Sequence, residues 1–398
     1  MPRNVKTALK RLFHSVSILA RPSRLLMRLN QLETDVVSLR KYLDTLEERI
    51  QEDGRAPLEL PYARGCYDQI DLKGDRFVVS GWMLLPERSL DSFALHINQH
   101  RVGVCAVMPR DDVAASLPFM AHARNSGFSF NVQRPGSGLE GMIDVRVVGI
   151  SRGREVAKTE TWYRADLSDL FPTPPANLML RVGGNKNPLL HLMTGIQTYR
   201  EFWTAVSRHV NPQSIKSMLD WGCGCGRVTG FFVKFSGIPR IHGCDVDAEA
   251  VEWCRKHLGP AEFSAISLHP PTPYPDKSFD LIVSFSVLSH LPRNVQIAWL
   301  QEMKRILAPG GLFLATVHGE SAALFTFPGR VTMDVLREGI YDDVVDRNLG
   351  PIVPGDYYRS VFQTREYTFR EYSKYFEILE YKERGGNSFQ DLVVMRNA

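Results

Sequence analysis

Three glycines at alternate positions constrain this chain more than any other feature. In Ser217-Met-Leu-Asp-Trp-Gly-Cys-Gly-Cys-Gly-Arg227, an apolar strand carrying Asp220 runs into Gly222, Gly224 and Gly226, and a helical pattern starts at Val228. Glycine lets the backbone turn sharply from strand to helix and approach a bound ligand closely. The first amide groups of the helix then face the negative end of that ligand. After the stiff stretch Phe171-Pro-Thr-Pro-Pro175, strands and helices alternate to the C-terminus. That order predicts an α/β sheet with helices on both faces.

The spacing decides between ligands. A dinucleotide fingerprint needs G-x-G-x-x-G/A, but the sixth position is Arg227 counted from Gly222 and Thr229 counted from Gly224. G-x-G-x-G with Asp220 two residues before it instead resembles motif I of the class I S-adenosylmethionine-dependent methyltransferases. Three further stretches resemble that family in the same order. Ile241-His-Gly-Cys-Asp245 is a strand ending in an acid. Phe279-Asp-Leu-Ile-Val-Ser284 leads into Phe285-Ser-Val-Leu-Ser-His-Leu291. Leu300 to Gly311 is a helix and Pro-Gly-Gly turn before strand Leu312–Thr316. Phe376–Tyr381 and Asp391–Met395 would form a closing antiparallel hairpin.

The resemblance covers residues 177–398 and implies a Rossmann-like, seven-stranded sheet with S-adenosylmethionine as cofactor. It implies that Gly222, Gly224 and Gly226 shape the loop around the methionine end and that Asp220 orients its amino group. Asp245 would take the ribose hydroxyls, Val246 the adenine edge and Leu268 its face, while Ser284, Phe285 and Ser286 line the sulfonium. One departure stands out: Ser264-Ala-Ile-Ser-Leu-His-Pro-Pro271 holds no acid for the adenine amino group, so backbone groups or Ser267 would serve.

Methyl transfer to a hydroxyl profits from a base. His290 after the fourth strand and His318 after the fifth are the candidates, because ligands bind at the C-terminal strand edge of such sheets. Both also suit structural histidines bonded to nearby backbone. Tyr357, Tyr358 and Arg359, on a long loop, would cover the acceptor or stand as surface residues. Asp245-Val-Asp247 also fits the D-x-D of manganese-dependent glycosyltransferases, though that reading leaves the three glycines without a role. A third reading is a non-catalytic coiled-coil scaffold with a cofactor-binding domain. No metal site is expected: Cys223, Cys225, Cys244 and Cys254 sit near one strand edge, but a zinc there would close the glycine loop.

Upstream the pattern changes twice. Residues 58–165 hold short alternating runs such as Phe77–Trp82, Phe93–Ile97, Phe128–Val132 and Ile143–Val147, separated by turn residues. They predict an all-β sandwich, joined by a Pro-rich linker at 166–176. With Met108-Pro-Arg-Asp-Asp-Val113 and Gly127-Phe-Ser-Phe130, the segment resembles a β-sandwich module beside bacterial glycosyltransferases and sugar-modifying enzymes. Glycan contact and a packing role are both open to it. In residues 23–55, Leu25, Leu29, Leu32, Val36, Leu39, Leu43, Leu46 and Ile50 make an unbroken heptad seam. Leucine at d with some β-branching at a favours a parallel two-stranded coil, hence a homodimer, with a trimer as the alternative. Residues 1–22 read as a basic amphipathic helix, which suits an anionic membrane surface, packing on its own protein, or a transit peptide.

Composition bounds the rest. The net charge is +4, yet residues 1–32 carry seven Lys or Arg and no acid, so the remainder is net acidic. That excludes a general nucleic-acid surface. No run approaches the ~18 apolar residues of a membrane span. Six cysteines in 398 residues are too few for a disulfide scaffold. The chain is therefore expected in the cytoplasm, at most peripheral on the inner face of the plasma membrane. Its expected acceptor is a saccharide hydroxyl of a cell-surface glycan, or a small molecule.

Overall fold

The computed structural model describes residues 60–398 apart from 86–87, 119, 134–141, 328, 347–348, 351 and 355–356. The coiled-coil and basic-helix expectations lie outside the described residues. Eight strands come first: β1 (Arg64–Lys73), β2 (Arg76–Leu84), β3 (Ser92–Ile97), β4 (His100–Ala106), β5 (Met108–Pro109), β6 (Asn125–Gln133), β7 (Ile143–Ser151) and β8 (Arg154–Tyr163). They make two antiparallel sheets, ordered β1-β2-β6-β5 and β4-β3-β7-β8. Period-two side chains explain the pairing: Phe77, Val79 and Met83 point inward from β2 and meet Phe93, Leu95 and Val147 of the other sheet in one core. The β7–β8 turn is tight because Arg152 and Gly153 both take positive φ, 52° and 74°.

The α/β sheet follows. Its strands are β9 (Ser217–Trp221), β10 (Arg240–Asp245), β11 (Glu262–Ala265), β12 (Phe279–Ser284), β13 (Leu307–Val317), β16 (Glu377–Gly386) and β17 (Gln390–Arg396). The order is β11-β10-β9-β12-β13-β17-β16. The first five are parallel, and β17 and β16 close the sheet as an antiparallel pair. Central β9 is buried along its whole length, as a strand covered on both faces must be. The loop expected after β13 has structure of its own. Helices Glu320–Thr326 and Arg330–Glu338 precede an antiparallel pair, β14 (Ile340–Val345) and β15 (Arg359–Gln363).

Helix Pro188–His209 ties the layers together. Asn187 caps it by accepting the N–H groups of Leu189 and Leu190, and Pro188 occupies its first turn. Arg200 on this helix pairs with Asp144 of β7 and, at 3.1 Å, with Glu160 of β8. Its neighbour Glu201 faces the closing hairpin, accepting the Asn387 N–H at 2.8 Å and a Gln197 Nε2–H at 3.0 Å. Burial pushes the Glu201 carboxyl up to about 8, from an ordinary 4.5. A raised carboxyl stabilises the fold fully below its unfolded value, and that contribution is lost as pH rises through the folded value. Stability should therefore decline between about pH 4.5 and about 8. Glu201→Gln should flatten that decline, read from urea midpoints across the range; an unchanged slope would mean that Glu201 stays ionised.

Candidate active site

β9 and β10 end side by side, and the chain leaves β9 through the glycines. Gly222, Gly224 and Gly226 have φ of 77°, 53° and 76°, the left-handed region that side chains disfavour. Space is equally short. A Cβ would meet Val287 at 2.2 Å from Gly222, Val182 at 2.6 Å from Gly224 and Leu258 at 2.1 Å from Gly226. The helix then runs Thr229–Phe235, with Val228 outside it.

Two carboxylates brace this turn. Asp245 accepts the Gly224 N–H at 2.7 Å and the Asp247 N–H at 2.8 Å, one on each oxygen. A carboxylate has about four acceptor sites, so capacity remains for two hydroxyls. Asp220 accepts the Thr229 hydroxyl at 2.6 Å. Burial raises the Asp220 carboxyl to about 7. Asp247 is committed elsewhere: it caps helix Ala248–His257 and is paired with Arg181 at 2.8 Å.

A cavity of about 340 Å³ opens against this turn, within the ~300–1,000 Å³ of small-molecule sites. Asp220, Gly222, Gly224, Asp245, Val246, Phe285, Ser286, His290, Tyr357 and Tyr358 line it, all of them expected from the sequence. Six expected residues do not. Gly226 lies behind the turn, against Leu258 and Cys254. Ser284 is buried in β12. Ile266 lines the wall where Ser267 and Leu268 were expected; the Leu268 carbonyl accepts the Tyr357 hydroxyl instead. Arg359 begins β15 and pairs with Asp343 at 3.6 Å. His318 is stacked on Phe362 and pushed down to about 3 by burial.

His290 ends a 3-10 turn, Leu288–His290, and the next helix starts at Arg293. Its ring stacks on Tyr358, centroids 4.5 Å apart and planes within 10°. Burial lowers its basicity, partly offset by Asp346. Tyr357 is held by the Trp299 indole N–H at 3.2 Å. The two tyrosines thus roof the cavity.

Arg227 was missed. It lines the cavity, its guanidinium lies 5.2 Å from the centre of the Phe285 ring, and its buried Nε has no hydrogen-bond partner among the described residues. Its place directly after the third glycine was the available signal. The wall from Arg181 and Val182 had no local signal, because a separate helix, Ala176–Gly183, brings it there.

Residues 218–311 match the family model of the methyltransferase domain. This stretch is a methyltransferase domain. Among the curated relatives similar to this chain are a probable methyltransferase, ltbC, of Aspergillus luteorubrus (32% identity, 25% of this chain, 38% of the relative), and a fatty-acid O-methyltransferase of Mycolicibacterium smegmatis (29%, 25% and 36%). The chain thus spans well under half the length of these relatives. Among solved structures, it is similar to an S-adenosylmethionine-dependent methyltransferase of Mesorhizobium loti. Identity there is 16% and the TM-score 0.38, with 49% of this chain and 97% of that one covered. For the N-methyltransferase NodS of Bradyrhizobium japonicum in complex with S-adenosylhomocysteine, the values are 18%, 0.36, 56% and 97%.

The residues of the methyltransferase domain fit S-adenosylmethionine. Asp245 has free lone pairs for a ribose diol, Asp220 is an acid for an ammonium group, and Arg227 holds an unpartnered buried donor. Its glycines differ from glycine elsewhere. Gly74, also left-handed at 61°, has nothing within 4 Å of a Cβ. Gly74→Ala should cost only backbone strain, about 1 kcal/mol. Gly226→Ala adds the collision with Leu258 and should lower the melting temperature clearly further; equal losses would mean that the turn yields easily.

Proposed function

We propose that the protein is an S-adenosylmethionine-dependent methyltransferase acting on a hydroxyl group. The observation that carries this reading is the single cavity where the glycine turn and Asp245 meet Ser286 and His290. The cofactor supplies a methyl group on a sulfonium, already activated for displacement. This chain's residues then have three tasks. The glycine backbone, Asp220 and Asp245 hold the cofactor. Tyr357 and Tyr358 cover the acceptor and exclude water. His290, whose basicity burial lowers, is available as a base. Alignment in a closed site supplies much of the catalysis.

The acceptor we propose is a saccharide hydroxyl in a cell-surface glycan. Support comes from the two-sheet segment, read as a β-sandwich like those beside sugar-modifying enzymes, and from the basic N-terminal stretch. The heptad seam supports assembly through a coiled coil. All six cysteines are free thiols, which suits a reducing, cytoplasmic setting. Among the described residues no helix is long and apolar enough to cross a membrane. The glycosyltransferase alternative is not favoured, since Asp247 is occupied by Arg181 and by the helix it caps.

Calorimetry tests the cofactor. S-adenosylmethionine and S-adenosylhomocysteine should both bind, and Asp245→Ala should weaken both at least ~10-fold, the loss of one to two charged hydrogen bonds. Binding of neither would end this reading. Asp220 adds a pH signature. A carboxyl near 7 is part-protonated at neutral pH, and a cation placed beside it favours the ionised form. Binding should release protons near pH 7, fewer as pH rises, and the release should vanish in Asp220→Asn. Transfer of labelled methyl to polysaccharide hydroxyls, against fatty acid and small phenols, tests the acceptor; label in either of the latter alone would remove the saccharide.

A further inference from the structure

The polar groups around His290 allow one consistent placement of protons. Nδ1 lies 3.1 Å from the Arg359 carbonyl oxygen and 3.5 Å from Asp346 Oδ2. A carbonyl and a carboxylate only accept, so Nδ1 carries the proton. The neutral ring then has a bare Nε2, which faces Ser286 Oγ at 3.2 Å. Only the Ser286 hydroxyl proton fills that contact.

Ser286 is held for this. Gln390 Nε2 donates to its Oγ at 2.7 Å. Gln390 is fixed in turn by the Thr316 hydroxyl, which donates to Oε1 at 2.6 Å and accepts the Ser286 N–H at 2.8 Å. Ser286 also has φ of 63°, uncommon for a residue with a side chain and sustained here by its neighbours. A hydroxyl oxygen has two lone pairs. One takes Gln390, and the other faces the Ser289 hydroxyl at a long 3.4 Å, from which a ligand hydroxyl would take it over in the cavity that Ser286 and His290 both line.

We propose that Ser286, His290 and Asp346 form a proton relay for the methyl acceptor, with Asp346 as the residue that fixes the ring's tautomer. The relay rests on the methyltransferase reading above. As the acceptor oxygen bonds to the methyl carbon, the C–S bond breaks and its electron pair stays on sulfur. The acceptor's hydroxyl proton passes to Ser286 Oγ, and the Ser286 proton passes to His290 Nε2. The O–H electrons stay on the acceptor oxygen, and the imidazolium formed is paired with Asp346. Asp346 touches neither acceptor nor cofactor in this scheme, so it is a positioning residue. The other groups facing the ring are Tyr358, stacked on it, His318, edge-on at 5.5 Å, and Ser289, near Ser286 Oγ at 3.4 Å. Burial pushes His318 down to about 3, so it does not share the titration.

The test is a pH titration of the full chain, labelled with 15N-histidine and bound to S-adenosylhomocysteine, with His290 assigned by loss of its signals in His290→Gln. The wild-type ring should be the Nδ1–H tautomer. Asp346→Asn removes the charge that favours the imidazolium, so the ring should titrate at lower pH. Ser286→Ala removes the donor that favours the neutral ring, so it should titrate at higher pH. A merely structural pair would not shift the same ring in opposite directions. An Nε2–H ring in the wild type, or an unmoved titration in both variants, overturns the relay. Should Asp346→Asn not fold, the wild-type tautomer and Ser286→Ala decide alone. The two readings fail separately: S-adenosylhomocysteine bound by a ring of the wrong tautomer removes only the relay, whereas no binding by the wild type removes the methyltransferase reading beneath it.

Discussion

The site depends on a backbone that three residues hold in the left-handed region. Gly222, Gly224 and Gly226 are each crowded by a different neighbour: Val287 after β12, Val182 on a preceding helix, and Leu258 after another. Close contact from three directions sets where the turn lies, and the turn sets where the amides point. Asp245 then locks it by taking the Gly224 N–H. Without the turn, β9 and β10 would still pair, but their ends would enclose no cavity.

A second constraint is the charge buried between the layers. Arg200 leaves water to meet Asp144 and Glu160. Buried ion pairs gain little net stability, because desolvation offsets attraction, but removing one partner strands the other. Their effect here is one of placement. The helix that carries Arg200 also carries Glu201, which holds the turn of the closing hairpin. That hairpin carries Gln390, which reaches Ser286. The two-sheet layer and the cavity are thus connected through a chain of polar contacts.

The roof shows what local pattern leaves unread. Tyr357 and Tyr358 stood out as aromatics on a long loop, and both line the cavity. The next residue, Arg359, does not, because β15 begins there and turns its side chain to Asp343. His290 and His318 looked alike in sequence, each just past a parallel strand. One faces the cavity; the other is stacked on Phe362. Of the stretch expected beside the adenine, Ile266 lines the cavity, whereas Ser267 and Leu268 do not. Where a loop leaves a strand, no period reports which side chain turns inward.

By itself the sequence determined the alternation of strand and helix, the glycine turn, the acid at the end of β10, and hence a methyltransferase domain. Those features are local: hydrophobic period, φ preference and the distance from glycine to acid lie within a few dozen residues. Only the tertiary structure decided that Arg227 faces the cavity with its Nε unpartnered among the described residues, that His318 is shut away, and that Asp346 and Gln390 meet the same small network from opposite ends of the chain's last segment. These last two contacts join residues 56 and 104 positions apart. Which of many polar side chains meet at that range is set by packing, and packing leaves no period in the sequence.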